Sequence, residues 1–476
     1  MSPPKLAKNQ IFFGTFIHSK SLGQLEYLHS TTVGVDVSGK IVAMETGLGQ
    51  HEAIQTLCTR LNWSANDVTI TVAQGERQFF FPGFIDAHVH AAQYPNTGIF
   101  GQSTLMDWLN KYTFPMESSL ASLPKARRVY TQCIRRTLSH GTTTAAYYAV
   151  IDVASTNLLA DLCLSMGQRA LVGRVCMDHL SPTYYIDESP DQAVAATRAT
   201  IEHIRRIDRD SELVTPVITP RFAPTCTAET MEGMAKLHKE AQVPIQTHIS
   251  ENANEIELVQ TLFPQNKNYT DVYDAHGLLT EQTILAHAVH LSEDEANIIA
   301  ERKAKIAHCP CSNSSLASGV ARVRWLLEKG ITVGLGTDMS GGYSPSILEA
   351  ARQAKLVSNH LIMPGGLLAH LAEEERERVK LTVEEVLHLA TRGGADVVGL
   401  PSQIGGFEVG MQWDAQLVDL GAIPEVVAQD DCEDHGSVDL FGWETWDERV
   451  AKWVFTGDDR NTLKVWVRGR LVHERI

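Results

Sequence analysis

Eight short apolar segments, each ending in polar residues, recur between residues 83 and 342. In chain order they contain "GFIDAHVH", "GTTTAAYYAV", "RALVGRVCMD", "LVTPVITPRFAP", "PIQTHISEN", "TILAHAVHL", "KIAHCPCSN" and "ITVGLGTDMSGG", with amphipathic stretches such as "ETMEGMAKLHKEA" between them. Apolar strands that alternate with helices are typical of a parallel sheet covered on both faces. Eight such units over about 260 residues predict a (β/α)₈ TIM-type barrel. An open doubly wound sheet is the alternative, but no glycine fingerprint follows an early strand.

The two ends of the chain show a different pattern. Residues 9 to about 80 and about 405 to 476 contain segments that alternate with period two, such as "QIFFGTFIHS", and lack long helical patterns. Neither end is long enough to bury a core comfortably alone. We therefore predict an α/β protein in which residues 1–80 and 401–476 build one small β-sandwich beside a barrel of residues 81–400.

Composition and charge exclude several classes of protein. The formal net charge of −16 over 476 residues disfavours a nucleic-acid or anionic-membrane partner. No apolar run reaches the roughly 18 residues of a transmembrane helix, and the first residues fit neither a signal nor a transit peptide. The eight cysteines form no C-x-x-C pair. Reduced thiols in a cytoplasmic protein are the expectation.

Polar side chains occupy the ends of the apolar segments. The first segment ends in His88 and His90, which share one face of a strand because side chains alternate with period two. Later segments end in Arg221, His248, His287, His308 and Asp338. One such histidine is more often a packing residue, but four strands that end this way indicate a site, because barrel active sites lie at the carboxyl ends of the strands. Imidazoles with one carboxylate are the ligands of a mononuclear zinc site.

Glu251 lies three residues after His248, in "THISEN". From there a carboxylate can reach the substrate side of a metal without being a ligand. We predict a proton-transfer role for Glu251. The alternative is a glutamate in a surface loop.

Several segments resemble one known family. "PGFIDAHVHAAQY", "RFAPTCTAET", "THISENANEIE", "LAHAVHLSEDE", "AHCPCSNSSLASG" and "GLGTDMSGGYS" are similar to motifs of the amidohydrolase superfamily. "LMDWLNKYTFPMES" and "FTGDDRNTLKVWVRGRLV" strengthen the similarity to its guanine-deaminating branch. The resemblance extends over residues 12–472.

The resemblance implies a hydrolase that converts guanine to xanthine and ammonia, acts on a free purine base, and forms a homodimer. It implies one Zn²⁺ per chain, held by His88, His90, His248, His287 and Asp338. It implies Glu251, His308 and Asp338 as catalytic residues. It also implies a substrate pocket made of Gln93, Trp108, Leu109, Arg221, Phe222, Glu251 and Asp338.

Three alternatives stay open at this point. The enzyme could deaminate another amino-heterocycle, of the pterin, 8-oxoguanine or triazine type, on the same fold. A non-catalytic assembly protein on this fold is expected to lack metal ligands. Arg221 could pair with a carboxylate at the barrel mouth instead of contacting substrate.

The fourth apolar segment contains no Lys or Glu that could bridge a second metal, so one metal is predicted.

Overall fold

The computed structural model describes residues 6–99, 105–423 and 436–475. Its strands are β1 (Asn9–Ser21), β2 (Gln24–Val35), β3 (Ile41–Thr46), β4 (Val68–Val72), β5 (Gln78–Pro82), β6 (Phe84–His90), β7 (Thr142–Tyr148), β8 (Arg169–Gly173), β9 (Val175–Cys176), β10 (Val214–Pro216), β11 (Thr219–Pro220), β12 (Ile245–Ile249), β13 (Thr283–His287), β14 (Lys305–His308), β15 (Val333–Leu335), β16 (Ala415–Asp419), β17 (Gly421–Ala422), β18 (Asp439–Leu440), β19 (Thr462–Val467) and β20 (Arg470–Glu474).

The α-helices are α1 (Gln50–Leu61), α2 (Leu105–Trp108), α3 (Phe114–Ser118), α4 (Leu123–Ser139), α5 (Val153–Met166), α6 (Pro190–Ile207), α7 (Ala228–Ala241), α8 (Ala253–Leu262), α9 (Tyr269–Ala275), α10 (Glu293–Arg302), α11 (Pro310–Ser315), α12 (Val323–Glu328), α13 (Ile347–His360), α14 (Glu373–Val379), α15 (Val383–His388), α16 (Gly394–Val397) and α17 (Trp446–Thr456). Two π-helical turns, Leu109–Thr113 and Leu389–Gly393, continue α2 and α15. Short 3₁₀ turns span Ala65–Asp67, Ala91–Asn96, Ser119–Ala121, Ala223–Thr225 and Asp459–Asn461.

The central strands form two parallel four-stranded sheets, β6-β7-β8-β10 and β12-β13-β14-β15. A parallel bridge between Ile218 and Ile245 joins the sheets at one edge. A backbone hydrogen bond from Asp338 N to His88 O, 2.9 Å long, joins them at the other edge. All eight predicted apolar segments contain strands, and the predicted α/β class is confirmed. The third and fourth segments are each broken into two strands, β8 with β9 and β10 with β11.

The helix α6, between β9 and β10, buries a single face. In α6 the buried side chains are Ala193, Ala196, Thr197, Thr200, Ile201 and Ile204, which recur at the spacing of a single helical face. The Ser189 side chain accepts a hydrogen bond from the Gln192 amide and caps the first turn. The predicted helix in "GVARVRWLLEKG" ends at Glu328, shortly before Gly330, whose φ of 75° suits glycine.

Both termini contribute to one eight-stranded sheet in the order β20-β19-β16-β5-β1-β2-β3, with β4 paired to β1. Phe12, from the N-terminal part, stacks on Trp413 from the C-terminal part with ring centroids 4.1 Å apart. Phe80 and Trp466 contact Phe12 edge-on. The two ends therefore share a buried face, as predicted. The limits of the three predicted domains stay a prediction.

The expectation that the terminal regions lack long helices is wrong. α1 has 12 residues and α17 has 11 residues. Ala53 and Leu57 of α1, like Val450, Trp453 and Val454 of α17, are buried at a spacing of three to four residues. The expectation was based on the segments that alternate with period two, and α1 and α17 lie between those segments.

Within the described ranges, no helix combines the length and the apolar character needed to cross a membrane. Seven cysteines there have free thiols. Cys432 and most of the acidic stretch around it lie outside the described residues.

The shared aromatic face generates a stability prediction. Phe12→Ala removes a fully buried ring that contacts aromatic rings from both ends of the chain. We expect the free energy of unfolding to fall by about 3–5 kcal/mol, as for other buried Phe→Ala changes. Urea titration followed by tryptophan fluorescence measures it. Ile70→Ala, at a side chain that is 51% exposed on β4, should cost about 0.5 kcal/mol or less. Equal losses for the two variants would contradict the shared core.

Candidate active site and metal centre

Four histidines and one aspartate meet at the carboxyl ends of the central strands. His88 and His90 come from β6, His248 from β12 and His287 from the end of β13, and Asp338 follows β15. All five side chains are buried or nearly so. The strand-end positions therefore converge in space, as the sequence pattern predicts.

The spacing of the ligand atoms suits a single ion. The Nε2 atoms of His88 and His90 lie 3.1 Å and 3.3 Å from Asp338 Oδ1. The Nε2 atoms of His90 and His248 are 3.2 Å apart. His287 Nε2 is 3.8 Å from Asp338 Oδ2. Five donors at about 2.0–2.1 Å from one ion would lie roughly 2.9–3.6 Å from their neighbours, so the three shorter separations are those of a mononuclear site.

Hydrogen bonds orient two of the imidazoles so that their Nε2 atoms face the other ligand atoms of the cluster. His248 Nδ1 donates to the carbonyl oxygen of Arg221 at 2.6 Å, and His287 Nδ1 donates to Asn313 Oδ1 at 2.9 Å. Because both partners are acceptors, each Nδ1 carries the proton and each Nε2 presents a lone pair to the cluster. His287 Nε2 has no hydrogen-bond partner among the described residues.

The electrostatics of the cluster also fit a metal. Burial lowers the pKa of His90 and of His248 well below the ordinary value, which keeps both rings neutral. Burial acts to raise the pKa of Asp338, but its hydrogen bond to His88 and the charges of His88 and His287 outweigh this and lower it. Burial acts to lower the pKa of His287 too, but the negative charges of Glu251 and Asp338 outweigh this and raise it. A bound metal would displace that proton, and imidazoles with an ionised carboxylate are the donors that a divalent transition metal prefers.

His88, His287 and Cys309 form an alternative group of side chains that could hold a metal ion. The Cys309 Sγ atom lies within reach of His88 and His287. Its S–H donates to the carbonyl oxygen of Ala307 at 3.4 Å, and burial raises the pKa of the thiol well above its ordinary value. Since metals bind the thiolate, the histidine and aspartate set is the better site.

Glu251 is not a surface-loop residue. Its side chain is buried, with Oε2 3.4 Å from His287 Nε2, and Oε1 accepts a hydrogen bond of 3.1 Å from the Ser318 hydroxyl. Burial raises the pKa of Glu251, in contrast to that of Asp338. Two neighbouring carboxyl groups whose pKa values are pushed apart are typical of acid–base chemistry.

A cavity opens beside the cluster. The residues that line it are His90, Gln93, Trp108, Leu109, Arg221, Phe222, His248, Glu251, His287, Leu316 and Asp338. All seven residues expected to contact substrate are among them. Its mixture of apolar walls with a few polar groups is typical of a small-molecule site.

His308 is placed differently from the other predicted site residues. It is buried at the end of β14, but it does not line the cavity. Burial lowers the pKa of His308 to about 3, and neither ring nitrogen has a hydrogen-bond partner among the described residues. Its catalytic role stays a prediction.

Glu117 is a residue of the site that the sequence analysis missed. Its Oε2 accepts a hydrogen bond of 2.6 Å from Arg221 Nη1, and its Oε1 accepts one of 3.0 Å from Arg221 Nη2. Arg221 thus pairs with a carboxylate and lines the cavity as well. Leu316 in the cavity wall and Asn313 behind His287 were also missed. Glu117 lies in the motif "LMDWLNKYTFPMES", but no spacing in that motif indicates a partner 104 residues away.

Comparison with known proteins gives consistent matches over most of the chain. Residues 79–472 match the Amidohydrolase family. The chain is 48% identical over 462 residues to the probable guanine deaminase of Schizosaccharomyces pombe. This match covers 97% of this chain and 83% of that protein. It is 40% identical over 470 residues to the guanine deaminase of Homo sapiens, with 98% and 97% covered. The structure of guanine deaminase from C. acetobutylicum with bound guanine in the active site has a TM-score of 0.83 at 30% identity, and the match covers 98% of this chain and 100% of that one.

Proposed function

The chain belongs to the amidohydrolase family, and we propose that it is a guanine deaminase, which hydrolyses guanine to xanthine and ammonia. The observation that carries this proposal is the composition of one cavity. Four members of the histidine and aspartate cluster line it together with the buried Glu251 and the polar residues Arg221 and Gln93. The two relatives at 48% and 40% identity, which bear the name guanine deaminase, support the choice of substrate. From the resemblance alone we also propose a cytoplasmic homodimer.

Zinc is the metal that we propose for the cluster. His88, His90, His248, His287 and Asp338 would hold it. When bound, zinc would lower the pKa of a coordinated water from about 15.7 to roughly 7 and so supply hydroxide at neutral pH. Neutral imidazoles and one carboxylate support zinc over Mg²⁺ or Ca²⁺, which prefer oxygen ligands.

Two carboxyl groups divide the proton transfers between them. The oxygen of water adds to C2 of guanine, and Asp338 accepts the proton that this water loses. Glu251 donates a proton to N3, where negative charge develops during the attack. The C2 hydroxyl then gives its remaining proton to the Glu251 carboxylate, which passes it to the exocyclic nitrogen. The bond between C2 and that nitrogen breaks, ammonia leaves and the C2 carbonyl forms, and the proton held by Asp338 returns to Glu251.

The opposite end of the cavity holds the purine base. Arg221 offers fixed N–H donors to O6 and N7, and Gln93 offers an amide beside them. Phe222 and Trp108 supply apolar walls for a planar ring. This arrangement favours a 6-oxopurine over a triazine, which has no second ring to reach Arg221.

An assay with guanine tests the function directly. We expect ultraviolet absorbance to show conversion of guanine to xanthine, and elemental analysis to find about one zinc per chain. A chelator should abolish turnover, and added zinc should restore it. If a pterin, 8-oxoguanine or a triazine is turned over faster than guanine in the same assay, that compound and not guanine is the substrate of the enzyme. Two zinc equivalents per chain would contradict the single-metal site.

Replacing Glu251 tests its role in proton transfer. We expect Glu251→Gln to keep its zinc and to lose about 10²–10⁴-fold in kcat, the usual contribution of a positioned acid–base group. Glu295→Gln is the matched control, because Glu295 is a buried glutamate that caps α10 with Ser292, outside the cavity lining. The control should keep its kcat. Near-normal turnover by Glu251→Gln would remove Glu251 from the mechanism.

Replacing Arg221 tests recognition of the base. A site with buried donors for the 6-oxo group should prefer guanine to 2-aminopurine by about 10⁴ in kcat/KM, since the analogue leaves those donors unpaired. We expect Arg221→Met to collapse this ratio without changing the zinc content. The control is Arg169→Met, which breaks another buried arginine–carboxylate pair, with Asp414. If Arg221→Met deaminates guanine as well as the parent does, Arg221 has only a structural role.

A further inference from the structure

Glu117 is a buried carboxylate with no direct place in the proposed chemistry. It lies in α3, is 1% exposed, and does not line the cavity. Besides the two hydrogen bonds from Arg221, it accepts one of 2.8 Å from Gln93 Nε2 and one of 2.8 Å from the Tyr185 hydroxyl. Each carboxylate oxygen therefore has two donors.

The hydrogen bonds to Glu117 fix the plane of the Arg221 guanidinium. Two parallel N–H···O bonds from Nη1 and Nη2 to one carboxylate leave no freedom for rotation about the last bond of the side chain. The Phe114 ring lies against the guanidinium, with Arg221 Cζ 5.2 Å from the ring centroid. The N–H groups that do not bind Glu117 consequently have set directions.

The same carboxylate fixes which way the amide of Gln93 faces. Its Nε2 must point to Glu117, because the reverse orientation would place the Oε1 atom against an acceptor-only carboxylate. Oε1 then remains available as an acceptor, with the Ser340 hydroxyl 3.4 Å away. The cavity thus presents donors from Arg221 and an acceptor from Gln93, both held by Glu117.

We propose that Glu117 is the positioning residue for base recognition, and that it sets the preference for purines with a 6-oxo group and an adjacent N1–H. This inference rests on the proposed function. The donors of Arg221 meet the oxygen, and Oε1 of Gln93 meets the N1–H. A purine without the oxo group loses both partners. Glu117 acts only through the geometry of these two side chains.

Glu117→Gln keeps the size of the side chain but turns one acceptor into a donor that faces Arg221 or Gln93. We expect kcat/KM for guanine to fall about 10- to 100-fold, the usual effect of losing a hydrogen bond to a charged group. Because 2-aminopurine lacks the 6-oxo group and the N1–H and shares with guanine only the contact of N7 with Arg221, its kcat/KM should change by about twofold or less. The guanine to 2-aminopurine ratio should therefore fall about fivefold or more, with zinc content unchanged.

Asp414→Asn is the matched control. Asp414 is also a buried carboxylate with two hydrogen bonds from one arginine, Arg169, but it lies outside the cavity lining. A general loss of stability should affect both variants, whereas only Glu117→Gln should change the substrate ratio. If Glu117→Gln does not fold, Glu117→Asp takes its place, since it keeps the charge but withdraws the carboxylate from both partners.

Each outcome has one consequence. A folded Glu117 variant that keeps the parent's ratio, or an equal change in Asp414→Asn, overturns the positioning role. A fall confined to the Glu117 variant supports it. A parent enzyme that does not act on guanine overturns the proposed function instead, so the two failures are distinct.

Discussion

The candidate site depends on the register between the first central strand and the segment that follows the last one. The Asp338 amide donates to the carbonyl oxygen of His88. The buried Asp86 carboxylate accepts hydrogen bonds from the hydroxyl and the amide of Thr337 and from the amide of His88. A shift of one residue would turn His88 and His90 to the other face of β6 and separate them from Asp338. Burial raises the pKa of the Asp86 carboxyl group to about 7. Its hydrogen bonds connect the strand that carries His88 and His90 to the segment that carries Asp338.

Burial is the second constraint, because every polar group at this end of the strands must have a partner or a reason to be neutral. The imidazoles of His90 and His248 are neutral through desolvation. The guanidinium of Arg221 stays charged and has Glu117 as its counter-ion. The cavity thus has the imidazoles and the Asp338 carboxylate at one end and the compensated charge of Arg221 at the other. We propose that a flat, uncharged purine lies between them.

The sequence predicts those features that follow from strand period and strand direction. His248, His287 and Asp338 were identifiable because parallel strands bring their carboxyl ends together. Gln93, Trp108, Leu109 and Phe222 came only from resemblance to a family. Glu117 and Asn313 escaped both approaches, since their partners lie far along the chain and no local pattern marks them. The φ angles of His287 and Asp338, 75° and 45°, are likewise imposed by the surrounding structure and not by local propensity.

Arg221 joins the two ends of the cavity through different atoms. Its backbone carbonyl accepts the hydrogen bond from His248 Nδ1 and so orients a proposed metal ligand, while its guanidinium binds Glu117 and lines the end of the cavity proposed to bind the base. Any amino acid at this position can supply the carbonyl, but only arginine supplies the planar set of donors. A substitution of the Arg221 side chain should therefore leave the orientation of the His248 ring unchanged. On such a scaffold the substrate preference can vary at one residue and at the carboxylate behind it, while the histidine cluster keeps its orientation.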